Sequence, residues 1–325
     1  MKQLLDLYQD ILDNGETKDD RTGVGSIQVF GRQLRFDLSK NFPMVTTRTV
    51  NFKSVLAELL WLISGSTDTR ILNEQGVHIW DAWAVDQEAI DEVKDKMTKH
   101  LKSIQVTGSE PTELNWEPMT QMIQDRLGSI GPIYGPNWRK WQTPSHTSID
   151  QLANVIEEIK TNSGSRRLVV SAWNPAVLPS DKMAPKKNAA IGLGALAPCH
   201  ALFQFHVRTD KEGVKRLDCQ LYQRSADVVL GSTFNIPSYS LLTMMIAKIC
   251  GLEPGEFVYT IGNAHIYLNH VEGVKEQLTR KPLCEPTVRI NTTEQNKDNI
   301  DGFKFEDFTL YGYTALPPIK YTRAV

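Results

Sequence analysis

The stretch Ala197-Pro198-Cys199-His200 sets a thiol where a strand begins. A free thiol titrates near ~8.5 and needs a neighbouring cation to become a good thiolate nucleophile. Read alone, Cys199 fits a small buried hydrophobe better. Gln220-Leu221-Tyr222-Gln223-Arg224-Ser225-Ala226-Asp227 ends a strand in hydrogen-bonding groups. Alternation sets Gln220, Tyr222 and Arg224 on one face. Arg224 there needs an anion or a carboxylate, because a guanidinium is costly to bury unpaired. A structural ion pair meets that need as well as a substrate does. Arg166 and Arg167 precede another strand, and Arg21 stands in Asp20-Arg21-Thr22-Gly23. All three suit a phosphate, and each alone suits a solvated surface equally.

Asn235, in Gly231-Ser232-Thr233-Phe234-Asn235-Ile236, offers a donor and an acceptor to a base edge. It also serves as a helix N-cap. His265 and Tyr267 share a face in an extended chain and can hydrogen-bond a sugar, or be structural. His265 and His270 lack a third ligand at metal spacing, so no metal is expected. Trp80 and Trp83, in Ile79-Trp80-Asp81-Ala82-Trp83, suit a planar aromatic ligand or core filling.

Several elements must position these groups. Helical spacing runs from Lys2 to Leu12 and stops at Asn14-Gly15. Residues 26–30 and 33–38 alternate as strands across Gly31. Phe52 to Ile63 is a mostly apolar helix with Glu58 inside it. Residues 85–128 are polar and read as an insertion, with a surface helix over Asp91–Leu101 and a loop at Ser109-Glu110-Pro111. Residues 179–196 read as a flexible loop holding Lys182, Lys186 and Lys187. Strands follow at 168–173, 201–208 and 216–222, then a long apolar helix over Ser238–Cys250. No linker divides the chain and no βαβ rhythm appears. The expectation is one α+β domain over 1–325 with a mixed or antiparallel sheet.

The chain has 325 residues, 36 Lys plus Arg and 38 Asp plus Glu. A net charge of −2 excludes bulk attraction to a polyanion. At 41% hydrophobic content the chain has enough apolar surface to fold. Cys199, Cys219, Cys250 and Cys284 form neither a Cys-x-x-Cys pair nor a disulfide framework, which favours a reduced compartment, with Cys219, Cys250 and Cys284 structural. The first residues are not a secretory signal, and no apolar run reaches the ~20 residues of a membrane span. A cytoplasmic protein is expected, or one in the host cytoplasm if viral.

Taken in order, these stretches carry a resemblance. Asp20-Arg21-Thr22-Gly23, Glu58-Leu59-Leu60-Trp61, Ile79-Trp80-Asp81, Gly131-Pro132-Ile133-Tyr134-Gly135, Arg166-Arg167, Pro198-Cys199-His200, Gln223-Arg224-Ser225-x-Asp227, Phe234-Asn235-Ile236 and His265-Ile266-Tyr267 closely resemble the thymidylate synthase family. That family also contains the nucleotide hydroxymethylases. The resemblance implies an α+β fold on a twisted mixed sheet, a homodimer through the sheet face, dUMP as substrate and 5,10-methylenetetrahydrofolate as co-substrate. It implies that Cys199 adds to C6 of the pyrimidine, and that Arg224 contacts the phosphate and favours the thiolate. Glu58 matches the carboxylate that organises water and proton transfers near C4, with a pKa raised by its apolar helix. Tyr134 matches a residue near the departing C5 proton. Arg21, Gln223 and Ser225 match substrate ligands, and Arg166 and Arg167 match arginines that reach the partner's site. Asn235 matches the selector of uracil over cytosine, and His265 and Tyr267 match ligands of the 3′-hydroxyl. Ile79, Trp80, Asp227, Gly231 and Phe234 match folate contacts.

Two places depart from the family pattern. Ser232-Thr233 stands where a Leu-Pro-like pair is usual, and Arg323 stands where the tail usually carries Val or Met. A wetter pocket at those places favours water over hydride at the C5 methylene. The larger body of matching residues, Trp80 among them, nevertheless implies dTMP formation, with 5-hydroxymethyl-dUMP as the alternative product. A catalytically silent nucleotide- or RNA-binding member is a further alternative, against which stand Cys199, Arg224, Glu58 and Asn235. No nucleic acid or membrane partner is required by any of these readings.

Overall fold

Alternating apolar and polar residues build a six-stranded sheet: β1 (Glu16–Lys18), β2 (Ser26–Asp37), β3 (Val169–Ser171), β4 (His200–Thr209), β5 (Lys215–Asp227) and β6 (Glu253–Tyr267). The structure is a computed structural model and describes residues 1–19, 23–105 and 117–323. The strand order is β1-β2-β6-β5-β4-β3. Neighbours are antiparallel except β5 and β6, which are parallel. A parallel pair needs a crossover connection, and the helix Gly231–Ile249 supplies it. The sheet is therefore mixed. β2 runs unbroken through Gly31 and pairs with β6 from Ser26↔Tyr267 to Asp37↔Glu256.

One sheet face carries the core. Leu217, Leu221, Phe257 and Ile261 are buried there, as are Ile236, Leu241, Leu242, Met245 and Ile246 of the crossover helix. Each such side chain contributes on the order of 2 kcal/mol by leaving water. The helix Phe52–Ile63 packs against the crossover helix. It is buried on almost every side, and Asn51 caps it by accepting from the Ser54 amide. The opposite sheet face is bare in the single chain. Leu202, Tyr222, Thr260 and Gln33 form a cross-strand row on it, and Phe30, Val169, Leu202 and Tyr222 are exposed.

The crossover helix begins seven residues before the Ser238 start read from the sequence, at Gly231, and holds Pro237 inside. A proline at this position normally reads as a helix boundary, because it removes a hydrogen bond and crowds the preceding turn. Burial of the whole segment outweighs that cost here.

The helix expected over Asp91–Leu101 is present with longer bounds, whereas the stretch 179–196 is not the plain loop expected. The polar region holds a 19-residue helix, Gln87–Gln105, and a shorter one, Glu117–Gln124. Ala89, Ile90 and Val93 anchor the first to the core. The supposed flexible loop contains the helix Pro185–Ala190, with Asn188, Ala189 and Ala190 buried. Lys186 pairs with Asp86 at 2.7 Å and Lys187 pairs with Glu92, so the two stretches are tied to each other. The loop read at Ser109-Glu110-Pro111 lies outside the described residues. Among the described residues, no helix is long and apolar enough to cross a membrane.

Candidate active site

The C-terminal end of β5, the start of β4, the Phe52–Ile63 helix and the N-terminal turns of the crossover helix enclose a cavity of about 360 Å³. Cys199 stands immediately before β4 and faces it. The register of β4 on β5 shifts between His200 and Leu202, and a local kink of this kind re-aims side chains at a strand end. Arg224 of β5 crosses to the same point. Its backbone amide donates to the Cys199 carbonyl at 2.9 Å. Its guanidinium donates to Pro198 O at 2.9 Å and Ala197 O at 2.6 Å, and reaches 3.8 Å from Cys199 Sγ. Burial pushes the Cys199 thiol up, and Arg224 pulls it down; the net direction is upward. Arg224 does act for the thiolate, but desolvation by burial outweighs it.

Tyr134 holds the thiol segment from the other side. The Cys199 amide donates to Tyr134 Oη at 3.0 Å. Tyr134 has φ 53° and ψ −99°, a strained backbone for a non-glycine residue of the kind that clusters at functional sites. Gly131 explains how the loop gets there. Its φ is 75°, and a Cβ on it would overlap the carbonyl of Leu193.

Glu58 enters from the apolar helix. The Trp80 indole N–H donates to its Oε1 at 2.8 Å. Burial raises the Glu58 carboxyl from its ordinary 4.5 to about 7, with the Trp80 bond pulling weakly the other way. Trp80 lies edge-on to Trp83 at 5.5 Å and tilted to Tyr134 at 6.1 Å. Ile79, Leu196 and Phe234 complete an apolar wall suited to a planar ring.

Asn235 lies within the crossover helix, whose N-cap is Leu230, so the capping alternative does not hold. It is buried, lines the cavity and hydrogen-bonds His200. Burial pushes His200 down to about 4, so the imidazole is neutral. Gln223 donates to Ser225 O at 3.0 Å and accepts from Tyr259 Oη at 2.9 Å, which fixes its amide. Asp227 accepts from the amides of Val229 and Leu230 at 2.9 and 3.1 Å.

Of the residues singled out in the sequence, Glu58, Ile79, Trp80, Tyr134, Cys199, Gln223, Ser225, Asp227, Gly231, Phe234, Asn235 and Tyr267 line this one cavity. His265 adjoins it through an edge-on contact with Tyr267 at 5.0 Å. Arg166 and Arg167 are exposed on the loop before β3 and do not line it. Arg21 lies outside the described residues. Leu196, His200 and Leu230 also line the cavity and went unassigned in the sequence. His200 had a signal, its place beside Cys199; the two leucines had none. Cys219 is buried, whereas Cys284 is exposed and so is not a core residue.

Ser232 and Thr233 are fully buried and face away from the cavity. Ser232 Oγ bonds Tyr259 Oη at 2.9 Å, and Thr233 Oγ1 donates to Leu230 O at 2.8 Å. Arg323 does reach the cavity wall, with its guanidinium 5.4 Å from the centre of the Trp83 ring.

A cysteine beside an arginine, a buried carboxylic acid and a cleft shaped for flat rings are the parts of an enzyme site that binds a planar substrate. A family model described as Thymidylate synthase matches residues 2–325. The chain belongs to the thymidylate synthase family, whose members transfer a one-carbon unit to dUMP and generally use methylenetetrahydrofolate.

Proposed function

We propose that the protein methylates dUMP reductively to dTMP. The observation that favours methylation over hydroxymethylation is the burial of Ser232 and Thr233. Their hydroxyls are used inside the protein and bring no water to the cavity. The sequence-level argument for a wetter pocket at these two residues loses its basis.

In this reading Cys199 bonds to C6 of dUMP, and the displaced electron pair makes C5 a carbon nucleophile. Arg224 stabilises the thiolate on attack and on expulsion, and contacts the phosphate with Arg21 and Ser225. Asn235 accepts from N3–H and donates to O4, which selects uracil. Gln223 backs the ring, and His265 and Tyr267 hold the 3′-hydroxyl. Glu58, titrating near 7, exchanges protons near C4. Tyr134 lies beside the C5 proton that leaves. The apolar wall fits the co-substrate, with Ile79, Trp80, Gly231 and Phe234 against its rings and Asp227 on the pterin. The co-substrate supplies the one-carbon unit and, for methylation, the hydride that completes it.

The bare sheet face fits a homodimer interface, because it exposes Phe30, Val169, Leu202 and Tyr222 on several strands, with Leu202 and Tyr222 directly paired. Exposed Arg166 and Arg167 then reach the partner's phosphate. A cytoplasmic setting agrees with the substrates.

One observation favours the hydroxymethylating reading: Arg323 brings a charge to the wall at Trp83. Incubation of pure protein with dUMP and methylenetetrahydrofolate separates the two. Dihydrofolate absorbance and the mass of dTMP are expected. Retained tetrahydrofolate with the mass of 5-hydroxymethyl-dUMP would overturn methylation.

A further inference from the structure

The C-terminal segment is docked by residues that the site does not otherwise use. Leu316 N donates to Thr46 O at 2.9 Å and Arg280 donates to Pro317 O at 2.6 Å. Tyr321 then inserts into a socket. Its hydroxyl donates to Gln277 Oε1 at 2.9 Å, and Gln277 in turn donates to Thr47 Oγ1 at 2.9 Å, which fixes the amide. The Arg48 guanidinium lies 5.2 Å from the centre of the Tyr321 ring. The His270 ring meets it edge-on at 5.2 Å, and His270 Nε2 bonds Thr322 O at 2.7 Å.

Two features show that the socket is built for this ring. Gly273 sits in the helix Val271–Thr279. A Cβ there would stand 2.6 Å from Tyr321 Cε1 and 3.1 Å from Ile319 Cγ2, so any larger residue forces the Tyr321 ring out of its docked position. Arg48 is buried and, among the described residues, has no ion pair; its Nε has no partner. Nη2 donates to Val229 O at 2.7 Å and Thr233 Oγ1 at 3.1 Å. A buried guanidinium so placed gains from an aromatic face, and Tyr321 provides it.

We propose that Tyr321 is a latch that holds the C-terminal segment against the body of the protein, with Gly273, Arg48 and Thr233 as its positioning residues. Two residues further on, Arg323 reaches Trp83 and completes the cavity wall. Thr233 and Arg323, the two departures seen in the sequence, thus belong to one device. Thr233 orients Arg48, Arg48 holds Tyr321, and Tyr321 delivers Arg323. The effect on turnover rests on the one-carbon reading above; the latch itself does not.

The test is Gly273→Ala. Alanine is the better helix former, so the melting temperature is expected to hold or rise while the latch is expelled. Release of Arg323 by a carboxypeptidase, following removal of Val325 and Ala324, is expected to quicken about ten-fold in ligand-free protein, the signature of local opening without global unfolding. The KM for methylenetetrahydrofolate is expected to rise with dUMP affinity unchanged. Thr233→Val and Tyr321→Leu should act the same way, and Tyr321→Phe, which keeps the ring, should retain most of the protection. Wild-type cleavage rates in both Gly273→Ala and Tyr321→Leu would overturn the latch. Absence of turnover in every form would sink the one-carbon reading alone, because the cleavage rates still decide the latch.

Discussion

Replacing Glu58 by Gln tests the buried carboxylic acid directly. Gln keeps the shape and an oxygen to accept from Trp80 at the observed 2.8 Å, but cannot ionise. Burial raises the Glu58 carboxyl from 4.5 to about 7, a difference worth on the order of 3 kcal/mol. The sign follows from which state ionises first. The unfolded chain loses its proton near 4.5, whereas the folded chain holds it to about 7. The stabilisation is therefore complete below 4.5 and is lost as pH rises through 7. The glutamine variant has no such loss. Its stability relative to the wild type should climb by roughly 2–3 kcal/mol between pH 5 and 8, then level off. Denaturant unfolding of substrate-free protein across that range measures it. The comparison cancels every other titrating group common to both proteins. Parallel stability curves would refute the buried-acid argument. Turnover should also fall, and any residual activity should lack a limb near pH 7.

Cys199→Ala should abolish turnover, by about 10³-fold or more, while dUMP still binds, since the thiol is the group asked to form a bond. Equilibrium dialysis with labelled dUMP and the product assay read both; persistent turnover would remove Cys199 from the nucleophile's role. Asn235→Asp should move preference from dUMP toward dCMP, because an ionised carboxylate cannot donate to O4 of uracil but can accept from the exocyclic amine of cytosine. The ratio of kcat/KM values for the two nucleotides is the measurement, and an unchanged ratio would count against base selection by this side chain.

Much of the site was legible because local types and order carried it. The helix over Phe52–Ile63 was readable from its apolar run, and Glu58 stood out as its one ionisable interior residue. The strand ending in Gln223, Arg224, Ser225 and Asp227 was readable from alternation, although β5 runs on to Asp227 beyond the apolar part. The start of the crossover helix was not readable. Ser232, Thr233 and Pro237 look like loop residues locally, and they are helical because tertiary burial repays their poor propensity. The insertion at 179–196 failed for a similar reason. Its small residues look flexible until Ala189 and Ala190 are seen buried against the rest of the chain.

Residue types and their order supply the chemistry available to this protein: a thiol after Pro198, a carboxylate in an apolar helix, a set of arginines and an amide with a donor and an acceptor. They also determined the family, because residue order survives any ignorance of geometry. What those groups feel is set by the folded surroundings. The charge of Arg224 and the burial of Cys199 oppose each other, and which prevails depends on packing that no motif encodes. Ser232 and Thr233 look alike in the sequence to pocket-lining polar residues, yet both turn inward. Arg48 and Tyr321 lie far apart along the chain and meet at 5.2 Å. Desolvation, side-chain direction and long-range contact are properties of the folded surroundings, and they are set only when distant segments close on one another.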